Sequence, residues 1–261
     1  MSTGAGVDRS VVVTGASSGI GRAIAVACGA RGWAVAVGAR RADALEETAA
    51  LVREAGGEAL AHVLDVTSGL SIDRFLATVH DALGPVDALV NNAGTASPGA
   101  LHEMSDAEHE RILRTNLLGP LLITRRVVAG LRARDAPGDV VFVSSDATRQ
   151  PRPHLGTYGA SKAGLEAAAR VLAMELEGTG IRSSIVRVGP TLTGFGDGWD
   201  QALFDRLIPY WQHFGVQRHW GTLDPATVAD AVVRVVAAPP GVHLAEVEVL
   251  PGAPSPPPTS T

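Results

Sequence analysis

Seven short runs rich in valine and other apolar residues recur along the chain, and segments of helical spacing separate most of them. They are SVVVT at 10–14, WAVAVG at 33–38, EALAHVL at 58–64, VDALV at 86–90, DVVFVS at 139–144, RSSIVRV at 182–188 and AEVEVL at 245–250. Runs of this length and β-branched content read as strands buried on both faces. Between them, residues 19–31, 42–54, 71–83, 106–134, 157–177 and 225–236 carry apolar residues at helical spacing, several opened by Ser, Asp or Thr caps. A strand–helix–strand rhythm places successive strands side by side and parallel, because the helix carries the chain back across the sheet. The expected fold is therefore α/β, a doubly wound parallel sheet of seven strands with helices on both faces.

One such sheet accounts for nearly all of the 261 residues, and neither an internal repeat nor a linker divides them. We expect a single domain over residues 1–250. The closing stretch PGAPSPPPTST, residues 251–261, has five prolines and almost nothing to bury, so a disordered tail is expected there. With 46% hydrophobic and 19% charged residues the rest should be a packed globule. A net charge of -5 opposes a nucleic-acid partner. The lone Cys28 has no disulfide partner and cannot assemble a thiolate zinc site, so no metal is expected and a reducing compartment fits. No run reaches the ~18 apolar residues of a membrane span, and MSTGAGVDRS lacks the build of a signal peptide. A cytoplasmic protein with no membrane partner is the expectation.

Rare residue types point to chemistry. The 22 basic residues are 21 arginines and a single lysine, Lys162, which follows one of only two tyrosines, Tyr158, by four positions. Random placement of one lysine would give that spacing in roughly two positions of the whole chain. At i and i+4 on a helix the two side chains share a face about 6 Å apart along the axis, and an ammonium there is expected to lower the phenol pKa. Upstream, VVVTGASSGIGRAIA runs from strand to helix through Gly15, Gly19 and Gly21. Glycines at such a turn allow positive φ and close backbone approach, leaving the helix N-terminal amides to face a pyrophosphate.

Together, TGASSGIG at 14–21, NNAG at 91–94, Asn116, Ser145 and YGASK at 158–162 resemble the short-chain dehydrogenase/reductase family in its compact single-domain form. The likeness covers about residues 9–250. It implies a Rossmann-like fold, a nicotinamide cofactor, and a homodimer or homotetramer built on the helices holding Asn116 and Tyr158. It further implies catalytic roles for Asn116, Ser145, Tyr158 and Lys162. Tyr158 would be the acid–base group, Ser145 would bind the substrate oxygen with Ser144 the less favoured candidate, and Asn116 would hold a water relaying protons to Lys162. A helix-bending role is the alternative for Asn116. The cofactor contacts implied are Gly15, Ser17, Ser18, Gly19, Ile20, Gly21, Asp65, Val66, Asn91, Ala93, Gly94, Tyr158, Lys162, Gly189, Thr191 and Thr193. Asn91 and Asn92 are read at least equally as ties between the turn and the sheet.

The second strand ends Gly38-Ala39-Arg40-Arg41, with no acid to accept from a ribose 2′-hydroxyl. Two cations at a helix start oppose the macrodipole unless an anion joins them. NADP(H) is therefore expected, with Arg40 the main 2′-phosphate contact, Arg41 secondary and Ser17 a helper. Beyond the sixth strand, Val188 stands where the family usually has proline. Residues 195–220 hold seven of the eleven aromatics. We expect a lid over about residues 191–222, with Phe195 and Trp199 beside Ser145 in a pocket for an apolar or ring-bearing carbonyl; packing of these rings on the scaffold or on another subunit is the equal alternative. The loop RQPRPH at 149–154 reads as a solvated turn, a contact to an acidic substituent of the substrate being the less favoured alternative. The overall expectation is an NADP-dependent oxidoreductase acting on a small carbonyl or alcohol, the alternative being a non-catalytic NADP(H)-binding sensor or scaffold.

Overall fold

The computed structural model describes residues 9–193, 199, 201–217 and 219–253. All seven expected strands are present: β1 (Ser10–Thr14), β2 (Ala34–Ala39), β3 (Glu58–Val63), β4 (Ala88–Asn91), β5 (Gly138–Ser145), β6 (Ile181–Val188) and β7 (Glu246–Val249). They form one parallel sheet in the order β3-β2-β1-β4-β5-β6-β7. The winding reverses between β1 and β4, so the crevice where a doubly wound sheet takes its ligand opens at the C-terminal ends of these two strands.

Alternate residues of the inner strands feed two cores. Val11, Val13, Val35, Val37, Val141 and Val186 face one layer, formed by α1 (Gly19–Gly29), α2 (Ala42–Glu54) and α8 (Pro225–Val236). Val12, Ala36, Leu89, Val140, Phe142 and Ile185 face the other, formed by α3 (Gly69–Leu83), α5 (Gly119–Ala133) and α6 (Gly156–Glu175). Burial on both faces holds for β1, β2, β4, β5 and β6, but not for β3 and β7. These two are the sheet edges, and their alternation of Glu or His with small apolar residues suits partial exposure.

The long segment 106–134 is not one helix. It divides into α4 (Asp106–Leu113), a π-helical turn at Arg114–Leu118, and α5. Pro120 has no N–H to close on the carbonyl of Asn116, and the Gly119 amide instead reaches back to the Arg114 carbonyl. A further helix, α7 (Gln201–His213), occupies the aromatic segment. Its signal was Leu203, Leu207 and Trp211 at spacing four, masked by Pro209 inside the run. The expected tail is partly packed: Pro251 lies against Gly189, while residues 254–261 fall outside the described residues. Among the described residues no helix is long and apolar enough to cross a membrane.

Candidate active site

The glycine turn is built for close approach. Gly15 and Gly19 have positive φ, and a Cβ on Gly15 would stand 2.7 Å from the Ala93 Cα. A Cβ on Gly21 would stand 2.3 Å from the Gly15 carbonyl oxygen, so any side chain there would force α1 off the turn. Ser18 is the N-cap of α1 but makes no capping bond, which leaves the first-turn amides around Ile20 as orphan donors. Thr193 closes over this turn, its side-chain carbons 3.2 Å from where a Gly19 Cβ would be.

The β4 turn is tied to the same place. The Asn92 side-chain amide donates to the carbonyls of Thr14 and Gly15 at 3.0 and 3.3 Å, and the Asn92 and Ala93 amides donate to Thr14 Oγ1. Asn91 donates to Thr124 Oγ1 at 2.9 Å. Both asparagines thus serve as ties. A Cβ on Gly94 would lie 3.6 Å from both Asn116 Oδ1 and Lys162 Nζ, which places the post-β4 turn beside the ammonium.

At the end of β2 the two arginines differ. Arg41 donates to Ser17 Oγ and Ser18 Oγ at 3.0 and 2.8 Å, which preorganises a cation and two hydroxyls beside the helix start. Arg40 is exposed, without a polar side-chain contact to a described residue. The preformed element is therefore Arg41 with the serines, although Arg40 was expected to lead. Asp65 accepts from the amide and hydroxyl of Thr67, and buried Val66 packs on Gly119, together shaping the floor beside β3.

At the end of the sixth strand, Val188 pairs with Val249, and the Gly189 amide donates to the Val249 carbonyl at 2.9 Å. Thr191 bonds the Gly189 carbonyl. The turn is thus set by strand pairing without the family's proline.

Tyr158 and Lys162 lie one turn apart on α6, and Ser145, the last residue of β5, hydrogen-bonds the phenol. Lys162 is buried and donates to the Val143 carbonyl at 2.8 Å. Asn116, in the π-turn, accepts from the Thr95 amide at 2.8 Å and donates to the Thr95 carbonyl and Ser161 Oγ at 2.8 and 3.1 Å. It therefore knits the post-β4 loop to α6.

The expectation that Lys162 lowers the phenol pKa needs correction. Burial raises Tyr158 above its ordinary value; Ser145 and Arg152 act downward and Asp146 upward. Lys162 is itself pushed down to about 8 by burial, with Glu166 acting the other way, and its Nζ is bonded to the β5 backbone.

Sequence reading missed two charged groups at this site. Arg152, in the loop expected to be solvated, grips both carboxylate oxygens of Asp146 at 2.9 and 2.6 Å, and their side chains are only 9% and 11% exposed. The one available signal was an acid directly after Ser145 with an arginine between two prolines a few residues on. Behind them, Glu166 of α6 accepts from Ser144, Thr148 and Arg187. That contact makes Ser144 part of the support under the turn.

The aromatic segment packs mainly on the scaffold. Trp211 and Leu207 are buried with Leu155, and Tyr158, Trp199 and Phe204 pack against them. Trp211 Nε1 donates to the Pro153 carbonyl at 2.9 Å, fixing α7 over the Arg152 loop. Tyr210, Phe214 and Trp220 are exposed, and Phe195 lies outside the described residues.

Comparison with known proteins agrees with this geometry. The family model for short chain dehydrogenase matches residues 9–203. A putative ketoacyl reductase of Streptomyces coelicolor is 36% identical over 75% of this chain and 80% of its own length. Glycine betaine reductase of Emericella nidulans is 36% identical over 92% of this chain, which spans only 18% of that longer protein. An alcohol dehydrogenase from the archaeon Thermococcus sibiricus, solved with 5-hydroxy-NADP, is 30% identical, with TM-score 0.79 over 95% of this chain and 98% of its own. An actinorhodin polyketide ketoreductase variant with NADPH is 32% identical, with TM-score 0.79 over 94% of this chain and 96% of its own.

Proposed function

The chain belongs to the short-chain dehydrogenase/reductase family, and from that premise we propose that it is an NADP(H)-dependent oxidoreductase interconverting a carbonyl and an alcohol. The substrate class proposed is an apolar or ring-bearing ketone. The reading is carried by the meeting of Tyr158, Ser145 and Lys162 at the C-terminal end of β5, where Ser145 bonds the phenol and Lys162 bonds the Val143 carbonyl, together with a glycine turn whose N-cap serine makes no capping bond.

The residues present fit a nicotinamide dinucleotide. The glycine cradle leaves room that any Cβ would fill, and no acid stands at the end of β2. Arg41, Ser17 and Ser18, joined by Arg40, would hold a 2′-phosphate, for which charge-assisted guanidinium bonds suit best. Two structural relatives were solved with NADP-type cofactors, in keeping with this. Asp65 and Val66 would flank the adenine, and Gly189, Thr191 and Thr193 the nicotinamide end. Bound there, the nicotinamide supplies or accepts the hydride.

Burial keeps Tyr158 protonated, the form needed to give a proton to a carbonyl oxygen. Ser145 donates to the same oxygen. Lys162 holds positive charge beside them, and Asn116 positions the proton path to it. Helix α7, which Trp211 fixes over the Arg152 loop, is the described part of the lid. We further infer a homodimer or homotetramer and a cytoplasmic address, the latter from the lone, buried Cys28.

The test is NADPH absorbance during incubation with ketones, aldehydes, imines and quinones, bulky cyclic ones included. Consumption with at least one ketone is expected, and Tyr158→Phe should lower kcat by ~10²–10⁴ while leaving NADPH affinity unchanged. Comparable turnover in that variant refutes the acid role. NADH binding as tightly as NADPH refutes the cofactor assignment.

A further inference from the structure

Ser145 has one hydroxyl proton and three neighbours. Its Oγ accepts from the Ala147 amide at 3.2 Å, contacts Asp146 Oδ1 at 3.3 Å as a donor, and reaches the Tyr158 phenol. A carboxylate is the strongest acceptor of the set, so a bare Asp146 would capture that proton. It is not bare. Arg152 donates through both terminal nitrogens to both Asp146 oxygens, with bonds shorter than the one from Ser145.

The Arg152 loop is held from three sides. The Gly99 amide donates to the His154 carbonyl at 2.9 Å, Trp211 to the Pro153 carbonyl, and the Leu155 amide to the Arg152 carbonyl. From below, the amides of Arg149 and Gln150 bond the Asp146 carbonyl. The pair is therefore fixed by the β5–α6 connection and by α7 together.

We propose, resting on the roles of Ser145 and Tyr158 given above, that Asp146 and Arg152 are a positioning pair: Arg152 takes both Asp146 oxygens through the shorter bonds, so the long contact from Ser145 is readily given up and its proton turns to the phenol and the substrate oxygen. The same pairing cancels a negative charge next to Tyr158.

The charged and titratable groups around Tyr158 come from several elements. On α6 they are Lys162 and, a turn beyond, Glu166. From the β5–α6 connection come Asp146, Arg152 and His154, the last in tilted ring contact with Tyr210 of α7 at 5.9 Å between centroids. From α4, His109 bonds Thr157 at 2.7 Å. Of these, Asp146 acts to raise the Tyr158 pKa and Arg152 to lower it.

The experiment is ultraviolet titration of the phenol in the full-length protein. With Tyr210→Phe as background, Tyr158 is the only tyrosine left of two, so its ionisation is read directly and without turnover. Arg152→Gln should raise the pKa by about one unit, a tenfold loss of phenolate at a given alkaline pH. Asp146→Asn should move it down, and the double variant should return near the parent. The pH profile of kcat/KM should follow the same order. An unmoved phenol in Arg152→Gln, or shifts of the same sign in both single variants, overturns the proposal. Should Arg152→Gln not fold, Asp146→Asn, which keeps shape and removes charge, decides: no downward shift overturns it. Intact shifts without NADPH consumption would sink only the oxidoreductase reading, and turnover with an unmoved phenol only this pair.

Discussion

Lys162 is a cation held where water scarcely reaches, with 5% of its surface exposed and its pKa pushed down to about 8 by burial. In the unfolded chain the ammonium keeps its ordinary value, so between about pH 8 and 10.5 the unfolded state binds more protons and stability rises with pH. Below that window the folded state carries the full cost, on the order of 3 kcal/mol. Lys162→Met keeps the stem and removes the charge, at the loss of one bond to Val143 worth about 1 kcal/mol. We expect loss of activity together with a Tm higher by roughly 4–8 °C at neutral pH, the gain shrinking as pH approaches 10. A lower Tm at neutral pH would mean that the lysine holds structure. Such a residue was legible because composition isolates it: one lysine, a turn after a tyrosine, in a chain that otherwise uses arginine. Asp146 and Arg152 were not legible, because their pairing depends on the path of a proline-bounded loop that no periodicity encodes.

Elements were read best where one period governs them. The helices at 42–54 and 225–236 end where apolar spacing ends, whereas the segment 106–134 kept its helical period through a π-turn that only the missing N–H of Pro120 betrays. α6 carries an unspent signal: Ala160, Ala163, Ala167, Val171 and Met174 form one exposed apolar stripe, Val171 and Met174 being 51% and 69% exposed. Leu118 and Leu121 lie exposed at the start of α5. An outward face of this kind on the helix bearing Tyr158 supports the proposed assembly of identical chains. Sedimentation of the purified protein should give a dimer or tetramer at micromolar concentration. Ala167→Glu, which sets a charge in the stripe, should weaken assembly at least about tenfold. A monomeric parent protein would end the proposal.

Across the whole molecule, two ion-pair clusters fasten the half of the sheet that carries Ser145. At one end Asp139 of β5 takes Arg9 and Arg182, and Arg182 also donates to the carbonyls of Ala238 and Val242. At the other, Arg187 of β6 joins Glu166 of α6 at 2.7 Å and Glu246 of the edge strand β7 at 3.1 Å. Arg187 and Glu166 are each only 3% exposed. The run RSSIVRV reads as an apolar strand and hides this arginine, because its partners become neighbours only through the β6–β7 register and the seating of α6. Removing one member of a buried pair strands the other, so Arg187→Met should destabilise by about 3–5 kcal/mol, a Tm drop of roughly 6–20 °C at neutral pH. The sign with pH follows from the carboxylates. Glu166 is held below its ordinary value by Arg187, Ser144 and Thr148, against the burial that acts upward, and Glu246 is lowered to about 2 by Arg170 and Arg187. Their contribution is fully present above the ordinary carboxylate range and is lost as pH falls through the folded values. The Tm difference between parent and variant, followed by calorimetry, should therefore narrow below about pH 4 and nearly close toward pH 2. A difference that stays constant down to that pH would show that Arg187 acts through packing, leaving Arg170 with Glu246 as the ion pair that joins α6 to the edge strand.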